Sequence, residues 1–171
     1  GASHPEEFVE RAAELGHAAA AIADTNTLAG VVRAHVAAKE SGMPLAVGTR
    51  LVFENGPSVL AFPTDRAAYS RLSRLLTLGK LRAPKGECHL VLHDLLDDHA
   101  GLLAVVLPPR VLDDDFIAVV RGMRGVLGDR LSLAASRSYH PGDAGRLDQL
   151  AALSAATSTP IAAINDAHYH D

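Results

Sequence analysis

The chain has 171 residues, 48% hydrophobic and 21% charged, with a formal net charge of −4. That length suits one domain with a sizeable core, and that composition excludes a disordered chain. The net negative charge argues against a whole-domain electrostatic nucleic-acid binder. No run approaches the roughly 18 to 20 consecutive apolar residues of a membrane helix, so no membrane partner is expected. The opening, Gly1 to Glu7, is polar and acidic and does not read as a signal peptide. The one cysteine, Cys88, excludes an internal disulfide and suits a reducing cytoplasm, the expected location. A start at Gly1 without Met reads as a fragment or a trimmed chain.

Strand-like and helix-like stretches alternate along the chain. Ser3-x-x-Glu6 spells a capping box with Pro5 in the first turn, and Phe8, Val9, Ala12 and Leu15 follow at helical spacing up to Gly16. Residues 18–23 read as a short apolar strand ending at Asp24. Leu28, Val31, Val32 and Val36 form a second helical stripe, stopped near Gly42. Leu45-Ala46-Val47 reads as a strand leading into Gly48-Thr49-Arg50. Residues 51–53 and 59–62 flank Glu54-Asn55-Gly56-Pro57 as a hairpin. Asp65 caps a helix carrying Ala68, Leu72, Leu75 and Leu76, and residues 79–87 read as a loop broken by Pro84 and Gly86. Residues 102–107 form a strand. Asp113, Asp114 and Asp115 stand at a helix start, where acidic groups favour the dipole, ahead of Phe116, Val119, Val120 and Met123. Residues 131–135 are another strand, and a last helix with Leu147, Leu150 and Ala151 precedes a buried strand over 160–164.

Repeated strand–helix units of this size predict an α/β fold with a parallel sheet, open or closed into a barrel. Polar residues follow several strands: Asp24, then Arg50, then Ser136, Arg137 and His140, then Asp166 and His168. In a barrel those ends converge on one mouth. Asp166 and His168, two residues apart after a strand, can reach one ion, and their oxygen and nitrogen suit Zn, Mn or Fe. Polar residues also gather at strand ends simply because strands end in loops.

Four stretches carry a resemblance: Gly1 to Glu7, Ala19 to Asp24, Leu28 to His35 and Asn165 to His170. Together they resemble the N-terminal PHP domain of a bacterial C-family DNA polymerase. Pro63 to Tyr69, Leu75 to Gly79 and Ala83 to Cys88 place the resemblance nearest the error-prone, alpha-type branch used in damage-induced synthesis. The resemblance implies a distorted PHP-type (β/α)7 barrel lacking its first strand here. It further implies that residues 1–171 are a single PHP domain, the N-terminal part of a larger polymerase. The partners it implies are the rest of the polymerase chain, DNA through that chain, and accessory polymerase subunits. The parent polymerase is expected to use Mg.

The family pattern is incomplete in this sequence. An early H-x-H strand would lie before Gly1. Thr25 in Ala23-Asp24-Thr25 stands where the family has a metal-binding His, and Arg50 in Gly48-Thr49-Arg50 stands where it has a bridging Glu. Asp166 and His168 match the terminal ligand pair, while His140 lies near a further family His without matching it cleanly. The site expected is therefore degenerate: Asp166 and His168 as metal ligands, with Asp24, Thr25, Arg50 and His140 lining it. A guanidinium about 4 Å from a divalent ion repels it by several kcal/mol at an effective dielectric near 20. The expectation is no catalytic residue and no certain cofactor, with at most one weakly held divalent ion, Zn or Mn. Arg50 is expected to pair with Asp166 or another carboxylate across the site. The alternative reading is an active metal-dependent phosphoesterase.

The other histidines, His4, His17, His35, His89, His93, His99 and His170, show no ligand spacing, and Cys88 has no dyad partner. Arg66, Arg71, Arg74, Lys80, Arg82 and Lys85 fall in a stretch free of acidic residues. They are candidates to meet DNA phosphates or the polymerase body. The plainer reading balances them against Asp94, Asp97 and Asp98.

Overall fold

A computed structural model describes residues 3–137 and 142–165. The first helix, α1 (Pro5–Glu14), starts on the proline, whose missing N–H has no helical partner to lose. Its cap lies one residue later than the sequence reading placed it. His4 is the N-cap, and the Glu7 carboxylate accepts from the His4 backbone N–H. Glu6 instead meets the Arg33 guanidinium of the next helix. Gly16, at φ +71°, turns the chain out of the helix, as a left-handed C-terminal residue does.

Strand β1 (Ala20–Thr25), helix α2 (Val31–Ser41) and strand β2 (Leu45–Leu51) form a right-sized parallel unit, with Ala20 opposite Leu45 and Thr25 opposite Arg50. Both strands run past their expected ends. Gly48-Thr49-Arg50 is strand, not the loop after one, because its other edge is occupied by β3 (Val59–Pro63), antiparallel, with Arg50 opposite Leu60. The valine stripe expected to bury α2 is also corrected. Ala34, Ala37 and Ala38 are buried, while Val32 is 71% exposed. Alanines let α2 come close to α1, and the two helices share a small core of Val9, Ile22 and Met43.

Helix α3 (Arg66–Leu81) begins at Asp65, whose Oδ1 accepts from the Ala68 amide at 2.7 Å, and buries the expected Ala68, Leu72, Leu75 and Leu76. A short helix absent from the sequence reading, α4 (Leu92–Asp97), follows the loop. Strand β4 (Leu102–Val106), helix α5 (Asp114–Leu127) and strand β5 (Leu131–Ala135) come next, with Asp113 capping α5 through the Phe116 amide at 2.9 Å. Helix α6 (Asp143–Thr157) and strand β6 (Ile161–Ala163) complete the described elements.

The six strands form one sheet in chain order, parallel except for β3, which is antiparallel to both neighbours. The result is an α/β fold with a curled half-barrel sheet. Strand β6 pairs with β5 at the sheet edge, and Ile161 is 42% exposed, so this strand is not the buried one the apolar run predicted. Edge position explains this: one side of the strand has no neighbour to cover it among the described residues.

The main core lies between the sheet and helices α3 to α6. Leu51, Val59, Ala61, Leu102, Ala104, Val106, Leu131 and Leu133 face it from β2 to β5. Strand alternation then puts Gly48 and Arg50 on the opposite face, beside Ala23 and Thr25 of β1. That face is tightly packed at one point: a Cβ on Gly48 would lie 2.4 Å from the Phe62 ring.

Thr49 fixes the β1–β2 junction. It is fully buried, donates its hydroxyl to the Asp24 carbonyl at 2.7 Å and accepts from the Thr27 amide at 3.2 Å. Thr49→Val keeps the shape and strips both bonds from the part-buried Thr27 amide and Asp24 carbonyl. It should lower unfolding free energy by about 1–3 kcal/mol. Urea denaturation reads this directly, and an unchanged midpoint would show that the hydroxyl does not hold the junction.

Candidate functional site

Because β1, β2, β4, β5 and β6 run in one direction, their C-terminal ends share one rim of the sheet, where α/β folds place their ligand sites. Asp24 and Thr25 close β1 at that rim, and the register sets Arg50 of β2 beside Thr25. Asp24 is already engaged: its Oδ2 accepts from the Gly30 amide at 2.9 Å at the start of α2. A Cβ on Gly30 would sit 2.5 Å from that oxygen and 2.8 Å from Pro5 Cγ, so the close approach requires glycine. Arg50 is partly buried, and its Nε is buried without a hydrogen-bond partner among the described residues. Asp166, His168 and His140 lie outside the described residues.

The described part of this rim does not suit a multinuclear metal centre. Such a centre needs several carboxylates and imidazoles around two or three cations. Here one carboxylate is engaged with a backbone amide, the neighbouring residue offers only a hydroxyl, and a guanidinium has no lone pair to donate. No group of three or more His, Cys, Asp and Glu among the described residues can hold a metal ion.

The basic stretch resolves into two sets. Arg71 and Arg74 both reach Asp98, at 3.0 and 2.9 Å, and Arg82 reaches Asp94 at 2.7 Å. Arg66, Lys80 and Lys85 are exposed and make no ion pair among the described residues. At about 100° per residue, Arg66 and Lys80 lie on a different flank of α3 from Arg71 and Arg74, so the stretch is not one basic face. Asp94 links this surface to the fold. Burial alone would raise its carboxyl, but the Arg82 hydrogen bond, the Val91 amide at 2.9 Å and the charges of Arg82 and His93 outweigh it and hold the group below the usual range. The same carboxylate starts α4, the helix that sequence periodicity is too short to reveal.

Cys88 is partly buried against Gly79 and the main core. Burial pushes its thiol up, with the Lys80 charge opposing, so it is less of a nucleophile than a free cysteine. One positioning residue has no sequence signal. Arg146 of α6 donates to the carbonyls of Pro108, Pro109 and Arg110 at 3.1, 2.8 and 2.9 Å, pinning the segment that leaves β4 at the rim.

With that geometry in place, the relatives are informative. The PHP domain family matches residues 1–139. An error-prone DNA polymerase of Caulobacter vibrioides is 51% identical over 171 residues, covering 99% of this chain and 16% of the relative. Another from Bradyrhizobium sp. is 42% identical, again over 99% of this chain and 16% of its own length. The chain thus spans 16% of the length of these curated relatives. Among solved structures, a protein described as a metal-dependent phosphoesterase from Bifidobacterium adolescentis has a TM-score of 0.68 at 20% identity, covering 100% of this chain and 84% of that one. An amidohydrolase from Chromobacterium violaceum, solved with SO4 and no metal, has a TM-score of 0.69 at 16% identity, covering 99% and 83%. These two show a shared fold.

The depressed carboxyl of Asp94 sets a pH dependence. Its contribution is fully present above the unfolded carboxylate range, about 3.9, and is lost as pH falls through the lower folded value. Asp94→Asn keeps an acceptor for the Val91 amide but loses the charge paired with Arg82, so it should be less stable than the parent at neutral pH by about 1 kcal/mol. That gap should close in acid, and a gap independent of pH between neutrality and about pH 3 would contradict the assignment. By contrast, Arg71→Gln with Arg74→Gln should shift stability by less than about 1 kcal/mol, since Asp98 is half exposed and such pairs contribute little. Thermal melts of the double variant test this, and a large loss would assign these arginines a structural role.

Proposed function

Because the chain belongs to the PHP domain family, we propose that it serves as the N-terminal PHP domain of an error-prone DNA polymerase, with a structural and interaction role rather than a catalytic one. The observation that carries this reading is the extent of the similarity: 99% of the chain, at 51% identity, matches a segment of a much longer polymerase. Template-directed synthesis, with Mg and catalytic carboxylates, then belongs to the remainder of such a protein. Translesion synthesis during cytoplasmic DNA repair is the corresponding cellular role. The domain's partner is first the rest of that chain, then DNA through it and accessory polymerase subunits.

The rim centre is proposed as a degenerate metal site. Asp166 and His168 are the retained ligand pair, with His140, Asp24 and Thr25 around them and Arg50 in place of an anion. At most one divalent ion, Zn or Mn, would be held there, weakly. The permanent positive charge of Arg50, set opposite Thr25 at the end of β1, supports this reading, because such a charge opposes a cluster of divalent ions. Arg66, Lys80 and Lys85 are the better contact candidates of the basic stretch, since Arg71, Arg74 and Arg82 are already paired. The second reading, a metal-dependent phosphoesterase, is favoured by the shared fold of the Bifidobacterium protein.

The full-length protein with Mn or Zn should not hydrolyse bis-p-nitrophenyl phosphate above background, while extending a primer on a DNA template with Mg. Metal-dependent hydrolysis that is abolished by Asp166→Asn would favour the phosphoesterase reading instead. Absence of primer extension would remove the polymerase assignment.

A further inference from the structure

Away from the rim, a trough of about 560 Å³ opens between the outer side of α3 and α4. Leu75, Leu78 and Leu81 give it an apolar lining, and Asp94 and Asp98 form the opposite wall. Ser70, Ser73 and Thr77 share the α3 face with Leu78 and Leu81, at the three- and four-residue spacing that makes neighbours on a helix. Their hydroxyls are bonded within α3 itself. Ser73 donates to the Tyr69 carbonyl at 2.9 Å, Thr77 donates to the Ser73 carbonyl at 2.8 Å, and Ser70 accepts from Arg74 at 3.3 Å. The face is therefore shallow and apolar rather than set with directed polar groups. Two ion pairs hold the walls together, Arg74 with Asp98 at 2.9 Å and Arg82 with Asp94 at 2.7 Å. Between Arg74 and Arg82, α3 rises by about 12 Å, roughly two turns.

Single exposed leucines are ordinary, but here Leu78 and Leu81, 39% and 81% exposed, lie one turn apart beside a walled trough. Two turns of helix are too little surface for a freely diffusing protein, which needs about 800 Å² on each side. A tethered segment needs far less, because its effective concentration is in the millimolar range. The chain spans 16% of the length of its curated relatives, so most of such a protein lies outside residues 1–171. Charge selects the chemistry of that segment. The acids of the α4 wall are already paired, whereas Arg66, four residues before Ser70, and Lys80, three after Thr77, border the open side. Both are exposed and make no ion pair among the described residues. We propose that this trough docks an amphipathic segment from the remainder of the polymerase chain. Its aliphatic side chains cover Leu78 and Leu81, and its carboxylates face Arg66 and Lys80. The inference rests on the polymerase-domain reading and deepens it by naming the docking face and the chemistry that fits it.

The test is thiol labelling of the full-length protein carrying Leu81→Cys, with the rate read by mass spectrometry on the peptide holding position 81, in native buffer and in urea. Uncovered, a thiol at this position labels natively about as fast as in the unfolded chain. Docking should slow it at least about tenfold, equivalent to about 1.4 kcal/mol in favour of the covered state. Cys88, partly buried against the main core, reports in the same sample that the domain is folded. Arg66→Glu with Lys80→Glu on that background should restore fast labelling at position 81 while Cys88 stays protected. Carbodiimide coupling of the parent should join Lys80 to an acidic residue outside residues 1–171. Equal native and unfolded rates at position 81, with Cys88 protected, would overturn the proposal. So would protection that grows with protein concentration, which means a second copy, or protection that appears only with primer–template DNA. Protection that survives the charge reversal would overturn the acidic chemistry assigned to the segment. A protein that extends a primer yet labels freely at position 81 loses this docking face alone, and the polymerase-domain reading stands.

Discussion

The buried hydroxyl of Thr49 is the constraint from which the rim follows. By bonding both the Asp24 carbonyl and the Thr27 amide, it ties the end of β1, and the segment that follows it, to β2. Once that junction is set, Asp24 falls within reach of the Gly30 amide and α2 starts where it does. The same register sets Thr25 opposite Arg50. The described part of the site is therefore built from a strand pairing and two tight glycine contacts, at Gly30 and Gly48.

Local chemistry was legible wherever one side chain satisfies one nearby backbone group. Asp65 and Asp113 were readable as helix starts because a carboxylate three residues ahead of a free amide has few other uses. The first helix shows the limit of that reasoning. Ser3-x-x-Glu6 and His4-x-x-Glu7 overlap, and the Arg33 charge on α2 draws Glu6 away, so a tertiary contact decides the register. Periodicity failed on α2 for a similar reason: the valines look like the core stripe, but only alanines allow the close approach to α1. Strand β2 was cut short in the reading because glycine and a charged residue interrupt its apolar run. Its continuation depends on β3 and on the Phe62 ring filling the space above Gly48, neither of which is a local signal. For the site, the sequence named residues at strand ends but could not say that Asp24 is taken by α2, nor that Arg146 braces the segment after β4.

A fold shared with a metal-dependent phosphoesterase carries no chemistry by itself, since function resides in the groups placed on the rim. A carboxylate ring concentrates cations, whereas a guanidinium such as that of Arg50 offers only donors and a positive charge that opposes them. The charged surface around α3 fits the same economy of interactions. Arg71, Arg74 and Arg82 are paired with Asp98 and Asp94, which leaves Arg66, Lys80 and Lys85 as the cations of that stretch without an ion pair among the described residues.

The central claim is that the rim is organised around the Arg50 charge and not around a metal cluster. Anomalous diffraction from crystals equilibrated with Mn tests it most directly, because each bound ion gives its own peak. The account predicts no peak, or a single weak one, within about 6 Å of the Arg50 guanidinium, the range over which a charge strongly biases its neighbours. Two or more strong peaks there, with Arg50 turned away from them, would contradict it.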